Sequence, residues 1–253
     1  MKLVFLGTGT SQGIPVIGCS CQVCQSSDFR DKRLRVSVLF QIGSTNIIID
    51  TGPDFRQQML RERISKIDAI LYTHQHKDHT AGLDDIRPFN HKHNMDMPLY
   101  GRRSVLDQLK TEFSYIFENI TYPGIPRVVL NEIQNQDFFI NGIKITPIEV
   151  MHHRLPVYGF RIGDIAYITD ANFISEKEKA KIRGSKILVI NALQKTPHLS
   201  HFTLNEAINL IQELKPDQAY LIHMSHTMGT HKETSSELPS GIQFAYDGLV
   251  LEL

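Results

Sequence analysis

The chain has 253 residues, 41% hydrophobic and 21% charged, so it is long enough to bury a substantial core. Its 27 basic and 27 acidic residues balance, which gives no indication of bulk affinity for nucleic acid or for a membrane surface. No apolar run approaches the roughly 20 residues of a membrane-spanning helix, and the apolar start at 1–6 is too short for a signal sequence. We therefore predict a single domain over 1–253 in the cytoplasm.

Apolar periodicity and turn residues predict strands first and helices later along the chain. In order, we predict strands at 2–6, 36–42 and 46–50, a helix at 55–63, strands at 67–72 and from 99, and a helix at 104–117. There follow strands at 128–131, 138–141, 143–150, 157–162 and 165–169, a helix at 175–182, a strand at 186–191, a helix at 203–214, and strands at 218–222 and 248–252. This order indicates an α+β sandwich of two sheets with helices outside.

Three histidines and an aspartate lie within six residues, directly after the predicted strand at 67–72. They are His74, His76, Asp78 and His79. Imidazole nitrogen and carboxylate oxygen are the usual protein ligands for Zn²⁺, Mn²⁺ and Fe²⁺. A histidine-rich surface loop is the alternative, but four ligand-type side chains in this spacing favour a metal site.

Further ligand-type residues end other predicted strands. They are Asp50 after 46–49, His152 and His153 after 143–150, Asp170 after 165–169, and His223 after 218–222. Any one of them could be a helix cap or a surface side chain. Their recurrence at strand ends favours a shared metal centre.

Cys19, Cys21 and Cys24 lie within six residues and are the three cysteines of the chain. An odd, clustered set makes a poor disulfide framework and is typical of a reducing compartment. The spacing suits three thiolates of a tetrahedral zinc site that needs a fourth ligand from elsewhere. Three free thiols in a loop are the alternative.

In order and in strand-end context, the histidine and aspartate residues resemble the ordered motifs of the metallo-β-lactamase superfamily, almost from end to end of the chain. The resemblance implies the four-layer αββα sandwich of that superfamily. It also implies two divalent metal ions, Zn or Mn, in one active site. The ligands implied for the first ion are His74, His76 and His152, with His153 as the alternative to His152. Those implied for the second ion are Asp78, His79 and His223. Asp170 would bridge the ions, and Asp50 would orient a ligand by hydrogen bonding.

The segment from Gly7 to Val16 and the cysteine cluster are similar to the cyclic phosphodiesterase branch of the carbon–phosphorus lyase pathway. In that branch three cysteines and the second histidine of a His-x-x-His pair hold a structural zinc ion. Cys19, Cys21, Cys24 and His226 match these positions. The resemblance therefore implies one structural Zn besides the two active-site ions.

The implied activity is hydrolysis of a small, cyclic phosphodiester by a hydroxide that bridges the two metal ions. Asp50, Asp78 and His201 are the residues with implied catalytic roles. His201 is the candidate to bind the phosphate or to protonate the leaving oxygen. The alternative for His201 is a structural position just before Thr203, the predicted N-cap of the helix at 203–214. His91, His93, His198 and His231 are predicted to be surface residues.

Two other hydrolase functions share this ligand set. The segment 200–207 resembles the tRNA 3′-processing endonucleases, but Asn191 stands where they carry an acidic residue, and no long Gly/Pro-rich arm is present. Thioesterases and lactonases are the second alternative, and a non-catalytic metal-binding module is the third. We expect a small-molecule partner rather than a membrane or a large nucleic acid, and a homodimer is compatible with the family.

Overall fold

The computed structural model describes residues 1–118 and 124–253. In these ranges the strands are β1 (Lys2–Gly7), β2 (Ser37–Ile42), β3 (Thr45–Ile49), β4 (Ala69–Leu71), β5 (Met97–Gly101), β6 (Val128–Glu132), β7 (Phe138–Ile140), β8 (Ile143–His152), β9 (Leu155–Ile162), β10 (Ile165–Tyr167), β11 (Ile187–Asn191), β12 (Gln218–Ile222), β13 (Ile242–Phe244) and β14 (Val250–Glu252).

The α-helices of the same ranges are α1 (Gln22–Gln25), α2 (Phe55–Arg61), α3 (Lys77–Thr80), α4 (Arg87–His93), α5 (Arg103–Glu112), α6 (Ser114–Phe117), α7 (Glu176–Ile182), α8 (Leu204–Leu214) and α9 (His231–Ser235). Short 3₁₀ turns lie at Phe29–Asp31 and Leu83–Ile86. No helix in the described part of the chain is both long enough and apolar enough to cross a membrane.

The chain divides into two compact units built from interleaved segments. The first unit comprises Met1–Gly7, Arg35–Gln134 and Gly248–Leu253, and the second comprises Thr8–Leu34 and Asn135–Asp247. Each unit contains one sheet, so the predicted pair of sheets with helices is confirmed. The single domain over residues 1–253 stays a prediction.

The first unit is built on a seven-stranded sheet in the order β14-β1-β2-β3-β4-β5-β6. Strands β14 to β3 pair antiparallel, and β3 to β6 pair parallel. The hairpin between β2 and β3 turns at Gly43, whose φ of +59° is readily adopted by glycine. A core of buried aliphatic and aromatic side chains, including Leu39, Ile48, Phe55 and Ile70, covers this sheet.

The second unit is built on a sheet in the order β13-β12-β11-β10-β9-β8-β7. Strands β7 to β10 pair antiparallel, whereas β10 to β13 pair parallel. Because β10, β11 and β12 are parallel neighbours, the residues that follow them lie at one edge of the sheet. Asp170 and His223 belong to this edge, and so does Asn191, the last residue of β11.

Helix α8 begins with a capping box, as the Thr203 prediction anticipated. The Thr203 hydroxyl accepts from the Glu206 backbone N–H at 3.3 Å, and the Glu206 carboxylate accepts from the Thr203 N–H at 2.8 Å. Leu204, Ala207 and Leu210 recur at helical spacing and are buried in the core of this unit. The helix start is therefore fixed two residues after His201.

Several parts of the sequence-based prediction differ from the structure, including one predicted helix and one strand. The helix predicted at 104–117 is divided at Phe113, whose φ of −115° and ψ of 43° are not helical. Strand β13 was not predicted, because Ile242–Phe244 is three residues long and forms through parallel pairing with β12. Phe113 has no glycine or proline beside it, whereas β13 directly follows Gly241, whose φ is +82°.

Candidate metal centre

In the first unit, the histidine motif occupies the turn from β4 into α3. His74 Nε2 lies 2.9 Å from His76 Nδ1, and His79 Nε2 lies 3.2 Å from the Asp78 carboxylate. Neighbouring ligands of one divalent cation at about 2.1 Å are separated by about 3 Å. His74 and His79 are fully buried and His76 is exposed. The spacing of these donor atoms fits metal coordination.

Asp50 holds one of these histidines in position. Its carboxylate lies 2.7 Å from His79 Nδ1 and accepts from the N–H and hydroxyl of Thr73 at 2.9 and 2.8 Å. With Nδ1–H donated to Asp50, His79 presents Nε2 as its ligand atom. Burial raises the pKa of Asp50, and the neighbouring His79 opposes that shift. Asp50 thus contacts a candidate ligand through its carboxylate.

Two glycines allow the motif turn to approach the turn after β3. A Cβ on Gly52 would lie 2.1 Å from the Asp78 carbonyl oxygen, and one on Gly82 would lie 2.2 Å from the Gly52 carbonyl oxygen. Such distances exclude any side chain at either position. Close backbone packing therefore brings Gly52, two residues after Asp50, against the first turn of α3.

In the second unit, the adjacent histidines at the end of β8 have different environments. His152 is buried and its Nδ1–H donates to the Ser200 carbonyl at 2.9 Å, so Nε2 is the atom left for a metal. His153 is exposed, with a left-handed φ of +56°. The structure places His152, and not His153, in a buried cluster with Asp170 and His201 whose donor atoms lie within 4.8 Å of one another.

Asp170 and His223 meet at the edge where β10 and β12 end. His223 Nε2 lies 3.2 Å from Asp170 Oδ1, and that same oxygen accepts from the Thr169 hydroxyl at 2.6 Å. Both residues are nearly inaccessible to solvent. Their φ values are +53° and +59°, a conformation that is uncommon for residues other than glycine and often found at functional sites.

His201 lies among the histidines of this second unit. Its ring centroid is 4.6 Å from that of His152 and 4.8 Å from that of His223. Its Nδ1 is buried and has no hydrogen-bond partner among the described residues. Burial and the neighbouring His223 lower the pKa of His201 to about 3, so the ring is neutral at pH 7. A buried imidazole nitrogen without a partner suits contact with a ligand.

Two asparagines that the sequence analysis did not assign hold these segments together. Asn191 accepts from the Ala171 N–H at 2.8 Å and donates to the Ala171 carbonyl at 2.9 Å. Asn172 accepts from the His153 N–H at 2.8 Å and donates to the Leu199 carbonyl at 3.1 Å. Both act on backbone groups, and the sequence indicated Asn191 only through its place at a strand end and its departure from the endonuclease motif.

The cysteine cluster and His226 also lie together in the second unit. His226 Nδ1 is 3.2 Å from Cys19 Sγ, 3.5 Å from Cys21 Sγ and 3.6 Å from Cys24 Sγ. In a tetrahedral zinc site with Zn–S of about 2.3 Å and Zn–N of about 2.0 Å, the S···N separation is about 3.5 Å. A hydrogen bond from the Cys24 N–H is the largest contribution that lowers the pKa of Cys21 to about 6, which favours its thiolate. These four residues fit a zinc ion.

His231, predicted to lie at the surface, is buried, so that prediction was wrong. Its Nδ1 accepts from the guanidinium of Arg33 at 3.2 Å, and its backbone N–H donates to Asp31 at 2.6 Å. Arg33 also donates to Thr8 and to the Ala245 carbonyl at 2.8 and 2.6 Å. Burial and the nearby Arg33 lower the pKa of His231 to about 4. The prediction failed because the burial of His231 depends on Arg33, which is 198 residues away in sequence.

The comparisons with known proteins place the chain in a family. Residues 45–224 match the model of the β-lactamase superfamily domain. A Porphyromonas gingivalis protein named octanoyltransferase is 38% identical over 252 residues, which are 98% of this chain and 51% of that protein. A ribonuclease Z of Listeria monocytogenes is 27% identical over 169 residues, 64% of this chain and 49% of the relative. The chain thus spans about half the length of these two relatives.

Solved structures agree with this family. A diphosphatase from the PhnP family is 42% identical and has a TM-score of 0.94, covering 100% of this chain and 97% of its own. Zn²⁺-bound PqqB from Methylobacterium extorquens is 20% identical with a TM-score of 0.81, and each chain is covered completely. At that identity PqqB supports the fold alone. The predicted metallo-β-lactamase fold is confirmed, and the chain belongs to the β-lactamase superfamily.

Proposed function

We propose that this protein is a binuclear metal-dependent phosphodiesterase that cleaves a small, cyclic phosphodiester. The observation that carries the proposal is the full-length similarity, at 42% identity, to a PhnP-family diphosphatase. That neighbour's name denotes hydrolysis at phosphorus. The donor sets of the two units have the residue types and spacings that divalent metals require.

Seven residues are proposed as ligands of the active-site ions. His74, His76 and His152 are assigned to one ion, Asp78, His79 and His223 to the other, and Asp170 to both. Two divalent ions, Zn or Mn, would supply an activated water at neutral pH and neutralise charge on the phosphoryl oxygens. Asp50 fixes the tautomer of His79 through the 2.7 Å contact, and the Ser200 carbonyl does the same for His152.

His201 is proposed to contact the phosphate or the leaving oxygen. Because its low pKa keeps the ring neutral at pH 7, it offers one N–H as a hydrogen-bond donor and one nitrogen as an acceptor. A single donor aimed at developing negative charge accounts for about 10²–10³-fold in rate in other hydrolases. Thr203, two residues later, fixes the helix start that positions His201.

A third ion, Zn²⁺, is proposed for Cys19, Cys21, Cys24 and His226. His226 follows His223 by three residues, so an ion there would tie the loop of α1 to the strand end that bears an active-site ligand. The site would stabilise the second unit without contacting substrate. Loss of the ion should therefore reduce activity indirectly.

Thioester hydrolysis is the second candidate function, because the Porphyromonas gingivalis relative carries the name octanoyltransferase. The similarity covers only half of that relative, so its named activity need not reside in the matched half. The tRNA 3′-endonuclease function is disfavoured by Asn191, whose side chain is fully engaged with the Ala171 backbone instead of with a catalytic histidine.

The deciding experiment is hydrolysis of a five-membered cyclic ribose phosphate by protein reconstituted with Mn²⁺ or Zn²⁺. We expect turnover in the parent, its loss in Asp170→Ala, and its retention in Asp164→Ala, which removes an exposed aspartate paired with Lys186. Absence of turnover with the metal sites filled would refute the proposal that a cyclic phosphodiester is the substrate. Linear phosphodiesters, a diphosphate diester and an acyl thioester, assayed in parallel, identify the substrate class in that case.

A further inference from the structure

Two large apolar side chains are exposed beside the candidate ligands of the second unit. Phe173 is 56% exposed and lies three residues after Asp170, and Leu199 is 70% exposed and lies two residues before His201. Apolar side chains scattered singly on a surface need no explanation. These two differ because each belongs to a segment that also bears a residue of the buried cluster of His152, Asp170 and His201.

Asn172 joins the segments that carry these side chains. Besides its bonds to the His153 N–H and the Leu199 carbonyl, its backbone N–H donates to the Met151 carbonyl at 2.9 Å. Phe173 in turn accepts from the Met151 N–H at 2.9 Å, which forms an isolated bridge to the end of β8. Phe173 and Leu199 are therefore held through their backbone carbonyl oxygens, and their side chains are exposed to solvent.

A cation accompanies the two apolar side chains. Arg154 and His153 form the two-residue turn between β8 and β9, and both are exposed. Arg154 makes no hydrogen bond or ion pair with any residue of 1–118 or 124–253. An aromatic ring, an aliphatic side chain and an unpaired guanidinium in adjoining segments suit a ligand that combines a flat ring with negative charge.

We propose that Phe173 and Leu199 form a platform on which the base of a nucleotide-type substrate stacks, so that the diester cleaved by this protein carries a nucleoside as one of its groups. The inference rests on the proposed phosphodiesterase function and deepens it by naming the substrate class. Stacking on Phe173 accommodates any base, because every base has a π face. Arg154, in the turn after β8, adds a positive charge that favours an anionic ligand.

The test measures binding, so its outcome does not depend on turnover. Protein loaded with Mn²⁺ is titrated calorimetrically with adenosine 5′-monophosphate and with ribose 5-phosphate, which differ only by the base. We expect the parent to bind the nucleotide about 5- to 150-fold more tightly, the range that base–aromatic stacking provides. In Phe173→Ala this ratio should fall to near one, and in Phe173→Trp it should be retained.

Phe139→Ala is the matched control, because Phe139 is a 64% exposed phenylalanine of the same unit, on β7. It should leave the ratio at the parent value. The platform proposal would be refuted by a ratio of nucleotide to ribose phosphate affinity near one in the parent. It would also be refuted by an equal ratio in the parent and in Phe173→Ala. If octyl phosphate binds more tightly than the nucleotide, and Phe173→Ala abolishes this preference, the nucleoside assignment is refuted and an aliphatic group is indicated as the ligand. Failure of the phosphodiesterase proposal is separate, since it is seen as absence of cyclic phosphate turnover.

Discussion

Three of the proposed site residues adopt a left-handed backbone at the point where a strand has ended. Asp50, Asp170 and His223 have φ values of +65°, +53° and +59°. Aspartate and histidine tolerate this conformation better than most residues, but it still carries a cost of order 1 kcal/mol. The surrounding hydrogen bonds offset that cost, as with Thr169 on Asp170 and Thr73 on Asp50. Residue identity was predictable from the sequence, whereas the backbone conformation was not.

The buried pair of Arg33 and His231 makes stability depend on pH. Because the pKa of His231 falls from an ordinary 6.5 to about 4 on folding, the folded chain binds fewer protons than the unfolded chain between these values. The associated stability is complete above pH 6.5 and is lost as the pH falls towards 4. Allowing for partial solvent screening, we expect a loss of about 2 kcal/mol.

His231→Asn tests this pH dependence. Asparagine keeps an oxygen acceptor for Arg33 but does not titrate. Urea unfolding of parent and variant at pH 7.5, 6.0 and 5.0 should show the parent losing stability relative to the variant as the pH is lowered. Taking the difference cancels the effects shared by both proteins, such as protonation of the cysteine thiolates. Parallel curves for the two proteins would refute the assigned pKa shift.

At the scale of elements, the strands and long helices were predictable because their apolar spacing is local. The prediction of a helix at 203–214 agrees with α8 at Leu204–Leu214, because the capping residues and the apolar residues at helical spacing all lie within that segment. Strand β13 was missed because its three residues become a strand only beside β12. His231 was assigned to the surface for the same reason: its burial depends on Arg33, which is 198 residues away in sequence.

The connection from β11 to the segment after Asp170 depends on one side chain. Asn191→Leu removes the acceptor of the Ala171 N–H and one of two donors to the Ala171 carbonyl, since Phe202 still donates at 2.7 Å. An unsatisfied buried N–H should lower the free energy of unfolding by about 1–3 kcal/mol. Denaturant unfolding measures that change directly.

A role in positioning Asp170 predicts an additional effect of Asn191→Leu. The dissociation constant for Mn²⁺, measured by calorimetry, should rise. Ala171, whose backbone Asn191 holds, is the neighbour of Asp170, the residue proposed to bind both ions. Asn131→Leu is the control, since among the described residues the Asn131 side chain bonds only to carbonyl groups of the first unit, at 3.2 and 3.4 Å. Loss of stability in Asn191→Leu with unchanged metal affinity would limit this asparagine to a structural role.

At the scale of the whole molecule, the ligand-type residues could be identified from the sequence, because few amino-acid types bind divalent metals. His152 and His153 were left open, since adjacent histidines are chemically alike. The structure separates them by burial, with His152 inside and His153 exposed. Thr169 and Asn172 were not identified from the sequence, and Asn191 was identified only as a departure from the endonuclease motif. All three act on backbone groups or on a neighbour, for which many residue types would be plausible.

The proposed metal content gives a whole-molecule prediction. We expect three divalent ions per chain, and Cys24→Ser should lower the zinc content by one ion while Ser20→Ala, in the same loop, leaves it unchanged. Plasma mass spectrometry of the purified proteins measures the count. Cys24→Ser should also lower the melting temperature, because metal binding contributes to folding stability. An equal metal count in the parent and Cys24→Ser would refute the cysteine site.

The three cysteines and His226, which are proposed to bind one zinc ion, are far apart in the sequence and are therefore synthesised at different times. Cys24 precedes His226 by 202 residues. At about 5–20 residues per second, the ribosome needs about 10–40 s to reach His226 after the cysteines have been made. During that interval the nascent chain exposes three thiols without their fourth partner. The proposed four-residue site is therefore complete only after His226 has been made, and until then the three thiols are open to oxidation.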